Sequence, residues 1–171
     1  MLAGRAQLER RMTTLQIFAD FHTIYLCDSA HNEDWSDLWN YQTVEDRIVA
    51  LPHTIVFNTG RNMTVPVDVH VHGTAPDVLD LAADADHAVT GSVTCTSGEL
   101  NLAGCTDYLP DAFALAISTG TIGVAFLSFG LGTIDPLDGL EGNDRYALHV
   151  WPNGTPSLPT VLKYWKGLDA K

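Results

Sequence analysis

Cationic side chains are scarce in this sequence of 171 residues, which has nine lysines and arginines against 21 aspartates and glutamates. Most of the nine lie near the two ends of the chain: Arg5, Arg10, Arg11, Lys163, Lys166 and Lys171. The stretch between Met12 and Leu162 contains three bases, Arg47, Arg61 and Arg145, and 19 acids. The other two acids, Glu9 and Asp169, lie outside it. Such a surface repels phosphate backbones and anionic lipid. The composition therefore argues against direct nucleic-acid or membrane binding and favours a basic protein partner or a cation.

Long apolar runs and an even set of cysteines are also missing. No stretch approaches the ~18 apolar residues of a membrane helix, and residues 1–11 lack the hydrophobic centre of a secretory signal. Three cysteines in strand-like contexts, Cys27, Cys95 and Cys105, are typical of free thiols in a reducing cytoplasm. We expect a cytoplasmic protein with a disordered N-terminal extension at 1–11, one domain at 12–155 and a C-terminal tail at 156–171.

Catalytic signatures are absent from the sequence as well. It has no nucleophile elbow, P-loop or dinucleotide fingerprint. Hydrophobic residues make up 46% of the chain, which is enough for a globular core and excludes the disordered class. A binding role is therefore favoured over an enzymatic one.

Apolar and polar residues alternate along much of the chain, a pattern that predicts strands. The clearest case is Thr64 to His72, where four valines share one face and Asp68, His70 and His72 share the other. Pro66 has no N–H to donate to a ladder, which predicts an edge strand or a bulge. Further strands are predicted at 14–27, 55–59, 87–96, 100–105, 113–118, 121–129 and 145–151.

Turn residues predict how these strands connect. Ser97-Gly98 and Thr119-Gly120 each separate two predicted strands, the pattern of a β-hairpin. In the first hairpin, Cys95 and Cys105 would be too far apart in register for a disulfide. The spacing of Thr43 and Asp46 predicts the start of one short helix. The predicted fold is mostly β, a single-domain antiparallel β-sandwich with about seven or eight strands and one short helix.

Asp68, His70 and His72 form a candidate metal site, with His87 as a further ligand. Alternate residues of a strand project from the same face ~7 Å apart. Imidazole and carboxylate are ligands for zinc and other divalent metals, so a divalent metal is the candidate cofactor. Any solvent-exposed strand face also shows alternating polar residues, so the alternative is a solvent-exposed face that binds no metal.

A candidate calcium site lies in the loop of Asp135, Asp138, Glu141 and Asp144. Carboxylates among glycines supply the oxygen ligands that calcium takes, although the spacing is not that of an EF-hand. Acidic, glycine-rich loops are also common as plain turns, which is the alternative for this segment.

A third candidate is a polar site on the first predicted strand, formed by Asp20, His22, Tyr25 and Asp28. On one strand Asp20 and His22 would share a face, as an orienting carboxylate and a general base. The alternative is that both simply face water while Tyr25 faces the core.

Four segments carry a resemblance to known proteins: IFADFHTIYLCD (17–28), TGRNMTVPVDV (59–69), SGELNLAGCTDY (97–108) and LEGNDRYALHVWP (140–152). In these segments the sequence resembles a group of small, uncharacterised bacterial β-sandwich proteins. It is also remotely similar to the competence protein J and nuclease-inhibitor family, through Trp35-Ser36-Asp37, the helix at Thr43, the turn at Pro52, Thr59 and Val65-Pro66. The resemblance implies a β-sandwich. The known member of that family restrains a nuclease by binding it, so the resemblance also implies a role in nuclease inhibition.

Trp35 and Trp39 are the candidate interaction residues, since exposed tryptophans anchor protein interfaces; a lid packed over one end of the sandwich is the alternative. The favoured function is an acidic binding protein, of the inhibitor or immunity type, for a basic protein partner. The acidic loops 73–86 and 130–144 are expected to border its binding surface together with these tryptophans. The alternative functions are a metal-binding module or metal-dependent hydrolase centred on Asp68, His70 and His72, and a homo-oligomer paired through the Pro66 strand.

Overall fold

The computed structural model describes residues 11–167, in which the chain is mostly β. Two short α-helices, α1 (Tyr41–Asp46) and α2 (Val78–Ala82), interrupt eleven strands. In chain order the strands are β1 (Arg11–Phe18), β2 (Thr23–Asp28), β3 (Ile48–Leu51), β4 (Thr54–Asn58), β5 (Thr64–Val71), β6 (His87–Cys95), β7 (Glu99–Gly104), β8 (Phe113–Ala116), β9 (Gly120–Phe129), β10 (Arg145–Trp151) and β11 (Thr160–Lys163). Residues 1–10 of the predicted N-terminal extension lie outside the described residues.

The strands form two sheets that pack face to face. One has six strands in the order β1-β5-β10-β9-β6-β11, and the other has five in the order β3-β4-β2-β7-β8. Apolar residues of both sheets meet in one core, where the rings of Phe57 and Phe126 stack with centroids 4.4 Å apart. This confirms the predicted β-sandwich, with more strands than the seven or eight expected and with a second helix. None of the helices within residues 11–167 is long and apolar enough to cross a membrane.

The alternating strand is β5, and its predicted faces are confirmed. Val65, Val67 and Val69 are buried in the core, whereas Asp68 and His70 lie on the outer face. The prediction of an edge strand is wrong, because β1 covers one side of β5 and β10 pairs with the other side in parallel. Pro66 precedes the parallel ladder, whose first pair is Val67 with Tyr146. The six-stranded sheet is therefore mixed, and an oligomer paired through β5 loses its basis.

The long strand predicted at 14–27 is broken in two. Phe21 and His22 have φ of 55° and 59°, in the left-handed region that non-glycine residues seldom adopt. Asn62 and Asp20 accept hydrogen bonds from the Phe21 N–H, which holds this turn in place. The chain passes here from β1 in the six-stranded sheet to β2 in the five-stranded sheet.

Both predicted hairpins are also passages between the sheets. The Ser97-Gly98 turn joins β6 to β7, which belong to different sheets, and the turn before Gly120 joins β8 to β9 in the same way. The ladders are instead β6 with β9 and β7 with β8. The two turns meet at one end of the sandwich, where the Ile117 N–H donates to the Gly98 carbonyl at 3.0 Å. The three cysteines are free as predicted, but the hairpin register used to predict it does not exist.

The outer faces of the two sheets carry different coverings. Helix α2 packs by Ala82 against Ala88, Leu127 and Ala147 on the outer face of the six-stranded sheet. On the other sheet, the segments that contain Trp35 and Leu109 pack against a buried cluster of Tyr25, Cys27, Val49, Val56 and Ala103. This second covering explains why all six residues of β2 are buried.

Candidate functional site

The outer face of the six-stranded sheet brings three histidines together. His70 of β5 is in register with His149 of β10, and their rings stack with centroids 4.4 Å apart. His72 Nε2 lies 2.8 Å from His149 Nδ1, and both side chains are buried. At this distance one nitrogen donates a proton and the other accepts it. Asp68 lies on the same face and accepts a hydrogen bond from Thr14 Oγ1 at 2.6 Å.

His149 was missed by the sequence prediction, which named His87 instead. His149 lies next to His72 because β5 and β10 pair in parallel. His87 Nε2 faces the Asp46 carbonyl at 2.9 Å, and its Nδ1 accepts from the Trp165 N–H at 3.1 Å. Burial, and secondarily the Arg47 charge, lower the pKa of His87. It is a neutral structural residue in these contacts, apart from the histidines of β5 and β10.

The four residues of the predicted polar site are not gathered in one place. Asp20 accepts from Thr106 Oγ1 at 3.1 Å, and His22 Nδ1 lies 3.2 Å from the Thr59 carbonyl. Tyr25 packs on Trp35, with ring centroids 4.5 Å apart, and burial raises its pKa to about 12. Asp28 lies at the far end of β2. The break at Phe21 and His22 removes the shared strand face on which the prediction depended.

Asp28 instead forms a cluster with two histidines that the sequence did not single out. The ligand atoms of Asp28, His31 and His53 all lie within 4.8 Å of one another. The two imidazole rings are parallel, with centroids 3.5 Å apart. Asp28 Oδ2 lies 3.7 Å from His31 Nε2 and 3.9 Å from His53 Nδ1. A carboxylate beside two imidazoles has the composition of a metal site.

The hydrogen bonds of this cluster fit a structural junction better than a metal centre. Thr96 donates to Asp28 Oδ2 from its N–H and its hydroxyl, both at 2.6 Å. The Ser97 hydroxyl donates to Oδ1. His53 Nδ1 lies 2.9 Å from the Thr94 carbonyl and so carries its proton there. Burial alone would raise the pKa of Asp28, but the hydrogen bonds from Ser97 and Thr96 outweigh it and hold the pKa far below its usual value.

The acidic loop of the predicted calcium site uses its carboxylates for local turns. Asp135 accepts from the Leu137 N–H at 2.7 Å, and Asp138 accepts from the Leu140 N–H at 2.8 Å. The Glu141 side chain is exposed. Asp144 is buried at the end of the loop, where it pairs with Arg61 and accepts from the Tyr146 hydroxyl at 2.5 Å. The structure thus assigns Asp144 to a buried ion pair, apart from the exposed acids of the loop.

Trp35 and Trp39 lie on the outer face of the five-stranded sheet. Both are half-buried against the cluster that contains Tyr25 and Val49, and residues 109–112 pack on the same cluster. Trp35 and its neighbours Glu33 and Asp34 line one pocket with Cys105, which places residues 33–39 beside residues 105–111. The predicted loop 73–86 contains α2, which packs on the opposite face of the sandwich. It therefore does not share one surface with the tryptophans.

We name residues 33–39 and 105–111 the acidic aromatic face. Its charges are Glu33, Asp34, Asp37, Asp107 and Asp111, and it has no lysine or arginine. All of these acids except the half-buried Glu33 are exposed, and Tyr108 exposes 70% of its surface. Burial and the Asp20 charge raise the pKa of the Cys105 thiol, which makes it a poor nucleophile. This face therefore presents negative charge around partly exposed aromatic rings.

Comparisons with known proteins agree on the fold. No family model matches the chain, and no curated protein matches its sequence. The structure is similar to the crystal structure of ComJ, inhibitor of the DNA degrading activity of NucA, from Bacillus subtilis, with a TM-score of 0.64 and 11% identity over 84% of this chain and 98% of that one. It is also similar to the crocagin biosynthetic gene J protein, with a TM-score of 0.55 and 14% identity over 86% of this chain and 100% of that one. The chain therefore has the fold of these proteins, and the predicted remote similarity to the nuclease-inhibitor fold is confirmed.

Proposed function

We propose that this chain is an inhibitor-type binding protein that holds a protein with a basic surface through its acidic aromatic face. The observation that carries the proposal is the composition of that face, five acids and no lysine or arginine around Trp35, Trp39 and Tyr108. Aromatic residues dominate the energetics of protein interfaces. Complementary charge speeds association and selects the partner.

None of the three arginines between Met12 and Leu162 belongs to this face. Arg47 lies at the end of α1. Arg61 is buried in its ion pair with Asp144. Arg145 lies over the Phe129 ring, 4.3 Å from its centroid, on the other sheet. The field around the acidic aromatic face is therefore negative, which attracts a basic partner at long range.

A nuclease is the class of partner that fits this surface. A protein that binds nucleic acid needs lysines and arginines to neutralise phosphates, and an acidic protein can occupy the same basic surface. ComJ, which has this fold, is an inhibitor of the DNA-degrading activity of NucA. We expect the present chain to act on a nuclease in the same general manner, by blocking its cationic cleft.

The test is capture of partners from a lysate of the source organism at low salt, followed by inhibition assays on each captured nuclease with fluorescent DNA. A decisive comparison uses two charge-reversal variants. Asp37→Lys with Asp111→Lys alters the face, whereas Asp80→Lys with Asp84→Lys makes the same charge change at exposed positions of α2 and the loop after it. We expect the first to slow association by about tenfold or more and the second to have a much smaller effect.

A hot-spot substitution provides a second readout at this face. Tyr108→Ala should speed dissociation by roughly 30-fold, the effect of losing ~2 kcal/mol of an aromatic anchor, and should leave folding intact because the ring is exposed. Equal effects of the two charge-reversal variants would place the binding outside the acidic aromatic face. Failure to recover any basic protein would remove the main support for the proposal.

The histidines of β5 and β10 favour a second candidate function, divalent-metal binding. His72 Nε2 and His149 Nδ1 are 2.8 Å apart, and His70 stacks on His149 beside Asp68 on the same face. Imidazole nitrogens are zinc ligands, and these two could bind one ion once their mutual hydrogen bond breaks and the rings rotate apart. In protein purified without an affinity tag, elemental analysis should find about one metal per chain. His149→Ala should abolish it. His31→Ala, which alters a histidine of the Asp28 cluster after β2, should not. Wild-type protein that stays metal-free after zinc addition would exclude the site.

A further inference from the structure

Strand β8 lies at an edge of the five-stranded sheet. It pairs with β7 on one side, and no strand of residues 11–167 pairs with it on the other. Its sequence, Phe-Ala-Leu-Ala, contains neither a charge nor a proline, and its register with β7 is regular. Folded proteins commonly protect such edges with charged residues, prolines, bulges or a covering segment. β8 therefore has the character of an edge to which another strand can be added.

The backbone groups that face the open edge follow from the pairing of β7 with β8. The Ile117 N–H donates to the carbonyl of Gly98, the residue opposite it in register, at 3.0 Å. In an antiparallel ladder, hydrogen-bonded and non-hydrogen-bonded pairs alternate. Leu115 therefore bonds to β7, whereas the N–H and C=O groups of Ala114 and Ala116 point away from β7. These groups are placed to pair with an added strand.

The two faces of the sheet differ in what they offer to the side chains of an added strand. Leu115 lies in the core, so Ala114 and Ala116 project from the outer face, where both are exposed. On the inner side, a groove of about 320 Å³ lies between β8 and β1 and is also lined by Val69 and Val71. Alternate residues of an added strand would enter this groove, and the others would lie beside the small alanine side chains.

Charge near β8 also differs between the two faces. Asp111 of the acidic aromatic face lies just before β8 in the chain and is exposed. Glu99 is opposite Ala116 in register, so its exposed side chain projects from the same outer face. Arg11, in contrast, lines the groove on the inner side. A cationic side chain is therefore favoured on the outer face and disfavoured in the groove.

We propose that β8 binds an extended segment of a basic protein by strand addition. The apolar side chains of the segment enter the groove, and its lysines or arginines lie on the outer face near Asp111 and Glu99. Backbone hydrogen bonds provide affinity in this mode of binding, and the sites for alternate side chains select the sequence. This inference rests on the proposed function, which supplies the basic partner, and it adds the chemistry of the segment that is recognised.

The experiment uses the full chain and a short peptide of alternating lysine and valine with blocked ends. Fluorescence anisotropy of the labelled peptide at low salt measures its Kd. A peptide with glutamate in place of lysine should bind about tenfold or more weakly, because its charge is repelled. A peptide with N-methylated backbone amides should bind about tenfold or more weakly as well, because it cannot pair as a strand.

Ala114→Pro tests the edge of β8 directly. Proline removes the N–H that points to the open edge, and it is tolerated on edge strands where the N–H faces solvent. We expect this variant to weaken binding of the lysine–valine peptide about tenfold or more. Ala114→Ser, which keeps the N–H, and Gln16→Pro, at an exposed position of the edge strand β1, are the matched controls and should bind as the wild type does.

Amide hydrogen exchange of the wild type provides a readout that needs no variant. The bound peptide should slow exchange at Ala114 and Ala116 and leave Leu115, whose N–H already bonds to β7, unchanged. The inference is overturned if the peptide leaves the amides of Ala114 and Ala116 unprotected, or if Ala114→Pro binds as tightly as the wild type. It is also overturned if the free protein is a dimer by light scattering that Ala114→Pro makes monomeric, because a second copy then occupies β8.

A captured nuclease separates this inference from the proposed function. If Asp37→Lys with Asp111→Lys weakens its binding and Ala114→Pro does not, the nuclease binds the acidic aromatic face without strand addition, which overturns this inference alone. If both changes weaken its binding, both proposals are supported. If no basic protein is captured but the peptide protects Ala114 and Ala116, the proposed function fails and strand addition to β8 is supported.

Discussion

Asp28 is a charged residue that the fold places out of reach of solvent, near the end of the sandwich. Its exposure is 0%, yet backbone and hydroxyl donors of Thr96 and Ser97 surround the carboxylate. A buried carboxylate that accepts several hydrogen bonds stays ionised. The side chain therefore fixes the turn between β6 and β7 to the end of β2, and its stacked neighbours His31 and His53 complete that junction.

Asp28→Asn should destabilise the protein by about 2–4 kcal/mol at pH 7, because the amide turns one acceptor into a donor facing other donors. The folded pKa of Asp28 lies below the unfolded value of about 3.9. Its stabilising effect is therefore present above about pH 4 and is lost as the pH falls through the folded pKa. Urea unfolding at several pH values should show the gap between wild type and variant closing in acid. Asp37→Asn, which alters an exposed acid, is the control. Equal urea midpoints for Asp28→Asn and wild type at pH 7 would contradict the assigned role.

His149 shows what residue patterns cannot provide. Its position in β10 follows from the alternation at 145–151, which the structure confirms. Its meeting with His70 and His72 follows from a parallel pairing between strands more than 70 residues apart in the chain. No local pattern encodes such a pairing. The sequence therefore predicted that His70 and His72 share a face but not that His149 lies beside them.

At the scale of secondary structure elements, the turns were predicted correctly and their connections were not. Ser97-Gly98 is a turn, and Gly98 has the positive φ of 81° that favours glycine. A tight turn reverses the chain whether the next strand joins the same sheet or crosses to the facing one. In a sandwich both partners offer an apolar face, so the alternation of β6 and β7 is satisfied by either arrangement. The helix α1 was likewise expected, but its cap is Asn40 with Thr43 and not Thr43 with Asp46.

Close packing of Trp151 on β9 gives a prediction at this scale. Gly123 pairs with Trp151 across the sheet, and an added Cβ would overlap the indole ring. Gly123→Ala should therefore cost about 1–3 kcal/mol, the usual effect of overpacking, and should change tryptophan fluorescence. Gly91→Ala on the neighbouring strand β6 is the matched control, because the one close contact of its Cβ would be with the flexible end of the Ile55 side chain, at 2.9 Å. The prediction is contradicted if urea unfolding shows a larger loss of stability for Gly91→Ala than for Gly123→Ala.

At the scale of the whole molecule, the charge imbalance of the domain sets its response to salt. Between Met12 and Leu162 there are 19 acids and three bases, and Arg61 is already paired with Asp144. Like charges on a compact surface repel each other more than on an unfolded chain. The acids that make the proposed binding face attractive to a basic partner therefore also oppose folding.

Raising sodium chloride from about 10 mM to about 150 mM shortens the screening length from ~30 Å to ~8 Å. The urea midpoint of the wild type should rise over this range. The variant with Asp80→Asn and Asp84→Asn should show a smaller rise, because it begins with less repulsion. A midpoint that falls with salt would mean that favourable ion pairs outweigh the repulsion.

The sequence alone determined the β class, the faces of β5 and the acidity of the domain. Those properties depend on residue type and on a period of two, and both are local. The tertiary structure alone decided which strands are neighbours, because backbone hydrogen bonds between strands are the same whatever the sequence and the choice depends on contacts across the whole core. It therefore also decided which polar residues meet: Asp28 with His31 and His53, His72 with His149, and the acids of residues 33–39 with those of 105–111.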